Sequence, residues 1–277
     1  MASATEKIRA DILVFIINYS VGLPGFRCRS TRTSITRKIR SEHAKLRNSL
    51  LVGGASGQAA GGKDCLPLHK IRMLLSIHPD NPQERNIKMV ANCLRKGGVI
   101  IYPTDTIYGL GCDIYNADAI NRIARIKNVD AKKAQFSFIC SDLSHLSDFA
   151  KSVDTPIFRL LKAALPGPFT FILQAGREVP KLLKTKKDTV GIRVPSNRIC
   201  HDIVKELGHP IMSASLPMDA DVEYFTDPEV MYERFGKLVD IVIDGGPGRI
   251  VPSTIIDCSS GAPELIRDGA GRWETLI

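Results

Sequence analysis

Two hydroxyl side chains with a carboxylate between them, Thr104-Asp105-Thr106, stand where an apolar run gives way to a polar turn in YPTDTIYGLG, residues 102–111. The preceding Gly-Gly-Val-Ile-Ile-Tyr, residues 97–102, is apolar and β-branched, as a buried strand is. Pro103 has no N–H to give a ladder and ends that strand, while Gly109 and Gly111 let the backbone turn or come close to a bound group. Hydroxyls at a strand end of an open α/β sheet are placed as ligand contacts are. The same residues fit an ordinary strand-to-helix turn with Thr104 or Thr106 as helix cap, so residue types alone leave both readings open.

Periodicity sets the elements that must hold this loop. It predicts a helix over 82–95, with Asn81-Pro82 as cap and first turn, then the strand 98–102. A second helix runs from Asp118 to Lys127, with Ala119, Ile120, Ile123 and Ile126 on one face. Residues 136–140 read as a strand, 142–150 as a short helix, 155–164 as a helix stopped at Pro166-Gly167-Pro168, and 169–174 as a strand. A helical turn at 179–183, a strand at 190–194, a helix at 197–207 capped by Ser196 or Asn197, and a buried strand at 211–215 follow. The acidic stretch 219–229 is loop, leading to a helix over about 228–236 and strands at 239–243, 254–256 and 264–267. Without a regular β-α-β repeat, this order predicts an α/β fold with a mixed twisted sheet flanked by helices.

A chain of 277 residues that is 44% apolar can bury a full core, and no apolar run approaches the roughly 20 residues of a membrane span. The net charge of +9 is uneven: residues 1–60 hold 10 Lys/Arg against 3 Asp/Glu, and the remainder 28 against 26. The start MASATEK, the Ser, Thr and Arg content and the small-residue stretch VGGASGQAAGG read as an organelle transit peptide over 1–65, cleaved between about 27 and 65. The Met-Ala-Ser start and RCRST favour a chloroplast over a mitochondrion; a basic arm for nucleic acid is the competing reading. A linker over 66–81 and one domain over 82–277 complete the expected organisation. The cysteines, at 28, 65, 93, 112, 140, 200 and 258, include no C-x-x-C pair, and the histidines have no partner at metal-ligand spacing, so no metal site and no disulfide frame is expected. His145, His201 and His209 read as surface or capping residues.

Five ordered blocks carry a resemblance: YPTDTIYGLG, PGPFT at 166–170, GIRVPSN at 191–197, PSTIID at 252–257 and IRDGAG at 266–271. Together they resemble the YrdC family of threonylcarbamoyl-adenylate synthases over roughly residues 84–277, and FSFICSDLS with MSASL is similar to its divergent YciO branch. The resemblance implies a YrdC-like twisted sheet, parallel and antiparallel, and a reaction of ATP, L-threonine and bicarbonate giving threonylcarbamoyl-AMP and pyrophosphate for tRNA modification, with Mg2+ accompanying ATP. It places Arg193 and Lys127 in catalysis, Thr104, Thr106 and Thr170 about the threonine, and Lys127, Ser213, Ser215, Ser253, Thr254 and Arg267 about the nucleotide. A planar guanidinium such as that of Arg193 can clamp a carboxylate or phosphate through two bonds; pairing to an acid at the core edge is its other reading. Lys127 also suits the last turn of any helix, and Arg267 could pair with Asp268 or Glu264.

The chain departs from the family at the phosphate side. Val129 stands where the family has an arginine, Ala134 or Gln135 with Phe136 where it has Pro-Leu, and no histidine precedes His145; Lys132 and Lys133 could restore part of the charge. The Ser-x-Asn element is SASLP, with Leu216 or Pro217 in place of asparagine. Two functions therefore compete: the synthase, and a YciO-type module that binds nucleotide, tRNA or double-stranded RNA without the chemistry, with Arg177 and the lysines at 181, 184, 186 and 187 as a basic patch.

Overall fold

The computed structural model describes residues 72–130, 136–144, 146–151, 153–183, 188–216 and 226–276, all within the compact unit Leu66–Ile277. The expectations for the tail and its cleavage, and those for Lys132, Lys133, Ala134, Gln135, His145, Pro217 and the lysines at 184, 186 and 187, lie outside these residues.

The strands are β1 (Met73–Ser76), β2 (Val99–Tyr102), β3 (Gly109–Asp113), β4 (Ser137–Ile139), β5 (Phe169–Gln174), β6 (Thr189–Arg193), β7 (Ile211–Ser215), β8 (Ile241–Asp244), β9 (Thr254–Asp257) and β10 (Glu264–Arg267). They form one sheet in the order β1-β8-β2-β3-β7-β4-β6-β5-β9-β10. The β1/β8, β2/β8, β4/β6 and β5/β9 pairs are parallel and the remaining pairs antiparallel, so the sheet is mixed as expected. The helices are α1 (Glu84–Arg95), α2 (Ala117–Ile126), α3 (Leu146–Phe149), α4 (Thr155–Ala164), α5 (Arg198–Leu207) and α6 (Pro228–Phe235).

Strand alternation divides the core in two, because successive side chains point to opposite faces. Ile100, Tyr102, Ile139 and Ile211 pack with Ile87, Val90 and Leu94 of α1 and Ile199, Ile203 and Leu207 of α5. Val99, Ile101, Phe138 and Met212 pack on the other face with Ile123 of α2, Leu161 of α4 and Met231 of α6. Burial on both faces explains why β2 reads as an unbroken apolar run. Each wholly buried Ile or Leu contributes about 1.5–3 kcal/mol by transfer. Asn197 caps α5, its Oδ1 accepting the Cys200 N–H at 3.1 Å, and Asn116 caps α2 through Ala119 N at 2.9 Å.

The structure corrects several expectations. Met73–Ser76, inside the expected linker, is the sheet's first edge strand, paired with Ile241–Asp244. Gly109 and Gly111 lie in β3, not in the turn, and a strand rather than a helix follows the polar loop, so neither Thr104 nor Thr106 caps a helix. The space above Gly111 is filled by the ring of Tyr102, which a Cβ would meet at 2.8 Å; the glycine admits that ring and not a ligand. α1 begins at Glu84 after Gln83, since the N–H groups of Asp80 and Asn81 turn onto His78 Nδ1, each at 3.2 Å. The last turn of the helix expected over 142–150 survives as α3, while Asp142 accepts the Ser144 N–H in a local turn.

Candidate active site

The loop that follows β2 is fixed by its own hydroxyls. Thr104 Oγ1 accepts the Thr106 N–H at 3.0 Å, lies 3.2 Å from Thr106 Oγ1 and donates to Ile107 O at 2.8 Å. The Cys200 thiol in the first turn of α5 donates to Pro103 O at 2.9 Å. Burial pushes that thiol far up, so it stays protonated as a donor. Asp105 joins the loop to the other wall: Oδ1 receives Arg193 Nη2 at 2.5 Å and Oδ2 receives the Ser196 N–H at 3.1 Å.

Arg193, the last residue of β6, donates through the same Nη2 to Thr104 Oγ1 at 3.1 Å and to Thr106 Oγ1 at 2.7 Å. On a flat sheet β2 and β6, four places apart in the strand order, would be separated by about 19 Å. The loop beyond β2 and the long Arg193 side chain together bridge that separation. Arg193 is only 8% exposed, and its Nε is buried with no hydrogen-bond partner among the described residues. An unmatched buried donor on a charged group costs more than the roughly 1–3 kcal/mol of a neutral one, and an acceptor at that edge of the guanidinium would recover it.

Beside Arg193, on the neighbouring strands, Thr170 Oγ1 of β5 and Ser253 Oγ before β9 lie 2.9 Å apart, and Arg267 of β10 donates to Ser253 O through Nε at 3.2 Å and Nη2 at 2.7 Å. Partial burial, and then the charge of Arg193, depress the Arg267 pKa; the two guanidiniums are near enough to oppose each other and so to favour an anion. PGPFT holds this wall in place, because Gly167 N donates to Val194 O after β6 and Pro168 O accepts the Thr254 N–H, both at 2.9 Å.

The segment 245–253 leaves β8, second in the order, and enters β9, ninth in the order, as a strap over both walls. Arg249 N donates to Thr106 O at 3.2 Å, and Gly245 N to Tyr108 OH at 3.2 Å, whose own proton goes to Gly246 O at 2.6 Å. Gly248 lies against the Tyr108 ring, where a Cβ would come within 2.7 Å of Cδ2. Beyond these anchors the strap reaches Ser253. Four Cα–Cα steps of about 3.8 Å separate residues 249 and 253, so the walls there stand within about 15 Å of each other.

The floor is narrow in another sense. Gly111, Ser213, Ser137 and Gly191 are register partners across β3, β7, β4 and β6, a row without bulky side chains on the face that carries Arg193. Tyr102 OH donates to Ser213 Oγ at 2.6 Å, which leaves the serine's own proton available. Lys127, just past α2, donates from Nζ to Ser215 O at 2.6 Å, and partial burial lowers its pKa.

Among the residues singled out by sequence, Arg193, Thr104 and Thr106 meet directly, and Thr170, Ser253 and Arg267 form a group on the strands next to that of Arg193. Lys127 and Ser215 make a third group at the end of β7, where Ser215 pairs with Gly109. Arg193 pairs with an acid, Asp105, as its second sequence reading had it, while its Nε has no partner among the described residues. Arg267 turns to a carbonyl rather than to Asp268 or Glu264. Thr254 is the exception: its hydroxyl donates to Gly271 O and accepts from Gly271 N, so it fixes the closing turn, and being wholly buried it presents no surface to a nucleotide. Sequence reasoning noted Asp105 but gave neither it nor Tyr102 a role; a carboxylate between two ligand-type hydroxyls, and a tyrosine opposite a glycine-rich run, were the available signals. Among the described residues no group of three or more His, Cys, Asp or Glu could hold a metal ion, and no helix is long and apolar enough to cross a membrane.

Comparison with known proteins gives this geometry a family. The family model for Sua5, YciO and YrdC, described as telomere recombination, matches residues 92–269. YciO of Escherichia coli (strain K12) is 44% identical over 196 residues, 70% of this chain and 94% of YciO. The E. coli YciO crystal structure aligns with a TM-score of 0.69, covering 74% of this chain and 99% of that one. The threonylcarbamoyl-AMP synthase of Coxiella burnetii (strain RSA 493 / Nine Mile phase I) is 30% identical over 185 residues, 66% of this chain and 97% of the synthase. P. abyssi Sua5 complexed with L-threonine aligns with a TM-score of 0.66 at 27% identity, covering 74% of this chain and 59% of that one. With the family model spanning well over half its length and the same mixed sheet in solved relatives, the chain belongs to the Sua5/YciO/YrdC family.

Proposed function

We propose that this protein forms threonylcarbamoyl-AMP from ATP, L-threonine and bicarbonate, supplying the threonylcarbamoyl group for modification of tRNA adenosine. The observation that carries the reading is Arg193, whose guanidinium meets the hydroxyls of Thr104 and Thr106, lies near enough to Arg267 to lower its pKa, and keeps an Nε without a hydrogen-bond partner among the described residues. A carboxylate is the acceptor that such a guanidinium pairs with best, and the synthase relative at 30% identity and the threonine complex of P. abyssi Sua5 support threonine as its bearer. Deprotonated threonine amine and bicarbonate give the carbamate with loss of water; the carbamate oxygen then attacks the α-phosphorus, and pyrophosphate leaves with the P–O bond electrons. Such a reaction needs alignment and charge neutralisation above all. Thr170 completes the threonine side, while Lys127, Ser213, Ser215, Ser253 and Arg267 face the phosphates. Mg2+ would accompany ATP and neutralise phosphate charge, since among the described residues no group of three or more His, Cys, Asp or Glu could hold the ion by itself.

The test is pyrophosphate release by the purified protein with ATP, threonine and bicarbonate, omitting each in turn. Release that requires threonine and vanishes in Arg193→Ala supports the reading; no release beside an active relative overturns it. A second reading, nucleotide or double-stranded RNA binding without turnover, is favoured by Val129, which is 42% exposed two residues after Lys127 and offers no donor. ATP binding without threonine-dependent release would establish it, and RNA binding that falls steeply with salt would add the RNA function.

A further inference from the structure

Thr104 gives its proton to Ile107 O and Thr254 gives its own to Gly271 O, so both hydroxyls are committed within the protein. Ser213, on the floor between Gly111 and Ser137, differs. Among the described residues its Oγ is bonded by Tyr102 alone, which donates to it at 2.6 Å, and no acceptor there takes the serine's own proton.

The contact passes over an intervening strand. Tyr102 lies on β2 and Ser213 on β7, with β3 between them, a separation of about 9.5 Å at the usual strand spacing. The ring can cross because Gly109 and Gly111 carry no side chain: a Cβ at Gly111 would stand 2.8 Å from its Cε1, and one at Gly109 would stand 3.3 Å from Ser213 Oγ. Tyr102 is wholly buried in the apolar cluster with α1 and α5, and phenylalanine would fill the same space, so packing does not call for the hydroxyl. Burial also pushes the Tyr102 pKa far up, which keeps that hydroxyl a donor at neutral and mildly alkaline pH. A serine hydroxyl has one proton and two lone pairs. With one lone pair taken by Tyr102, the proton is directed away from β2 and becomes the stronger donor.

We infer that Tyr102 is a positioning residue, acting through Ser213 to present one fixed hydroxyl donor to an anionic oxygen of the nucleotide's phosphates. The inference rests on the proposed use of ATP and extends it to a side chain that touches no ligand itself.

Calorimetric titration of the full chain with ATP, and separately with threonine, tests it. Tyr102→Phe keeps the ring and should weaken ATP about three- to tenfold with threonine binding as before, and Ser213→Ala should weaken ATP at least as much. Added to Ser213→Ala, Tyr102→Phe should cost nothing more, because the tyrosine acts only through that oxygen. Unchanged ATP affinity in either single variant would overturn the inference while leaving ATP use intact. A further loss of the same size in the Ser213→Ala background would also overturn it, making the tyrosine a part of the scaffold only, as would a loss for threonine as large as that for ATP. A wild type that binds no ATP would overturn it together with the proposed function.

Discussion

At the scale of single residues, Arg193 joins loop, strand and ligand edge, so its shape should matter as much as its charge. Arg193→Lys keeps a cation for Asp105 but lacks the planar fork; turnover should fall about 10²–10³-fold in the pyrophosphate assay with the protein still folded. Asp105 and Arg193 are each about nine-tenths buried, and Asp105→Ala leaves the guanidinium unpaired. A loss of about 3–5 kcal/mol is expected, read as a lower denaturant midpoint at unchanged slope. Lys127 offers a pH test. Desolvation lowers its pKa, so it loses its proton before an ordinary lysine does as pH rises; the alkaline limb of activity should lie below about 10.4 and move upward in Lys127→Arg. That Arg193 belongs with Thr104 and Thr106 was legible from the ordered motifs. Its pairing with Asp105, 88 residues earlier, was not, because no local pattern encodes which strand ends a sheet brings together.

Among the elements, β3 shows why a functional loop misleads a local reading. Gly-Leu-Gly-Cys-Asp is poor strand sequence, since glycine loses entropy and packs nothing, yet it pairs along its whole length with β2 and β7. The glycines answer to the Tyr102 ring across the pair. Gly111→Val should therefore destabilise the protein by about 1–3 kcal/mol and, by displacing the Tyr102 contact to Ser213, weaken ATP before it weakens threonine in separate titrations. Strongly periodic elements were readable almost to the residue: α4, β5, β7 and β10 begin and end where the sequence places them. β1 was not, because Met-Leu-Leu-Ser becomes a strand only through its parallel partner Ile241–Asp244, far along the chain.

For the whole molecule, the boundary drawn from sequence at residue 82 would remove β1 and uncover one edge of β8. A chain begun there should unfold at a lower temperature than one begun at 66, as thermal unfolding of the two would show. The basic tail is a separate matter: we propose that residues 1–65 fused to a reporter carry it into a chloroplast, or otherwise a mitochondrion, and cytosolic retention would favour the nucleic-acid arm. The strand order has a further consequence for how the protein is made. Met73 pairs with Ile241, and Thr106 meets a strap that ends at Ser253. Contacts so distant in sequence close slowly, because loop entropy is lost before the pairing compensates for it. While the chain is still leaving the ribosome, β2 and β3 can pair, but the Arg193 loop has no opposite wall until the last strands emerge. A nascent or truncated chain thus presents an unfinished sheet edge to chaperones and to its own copies, and acquires its ligand site only at the end of synthesis.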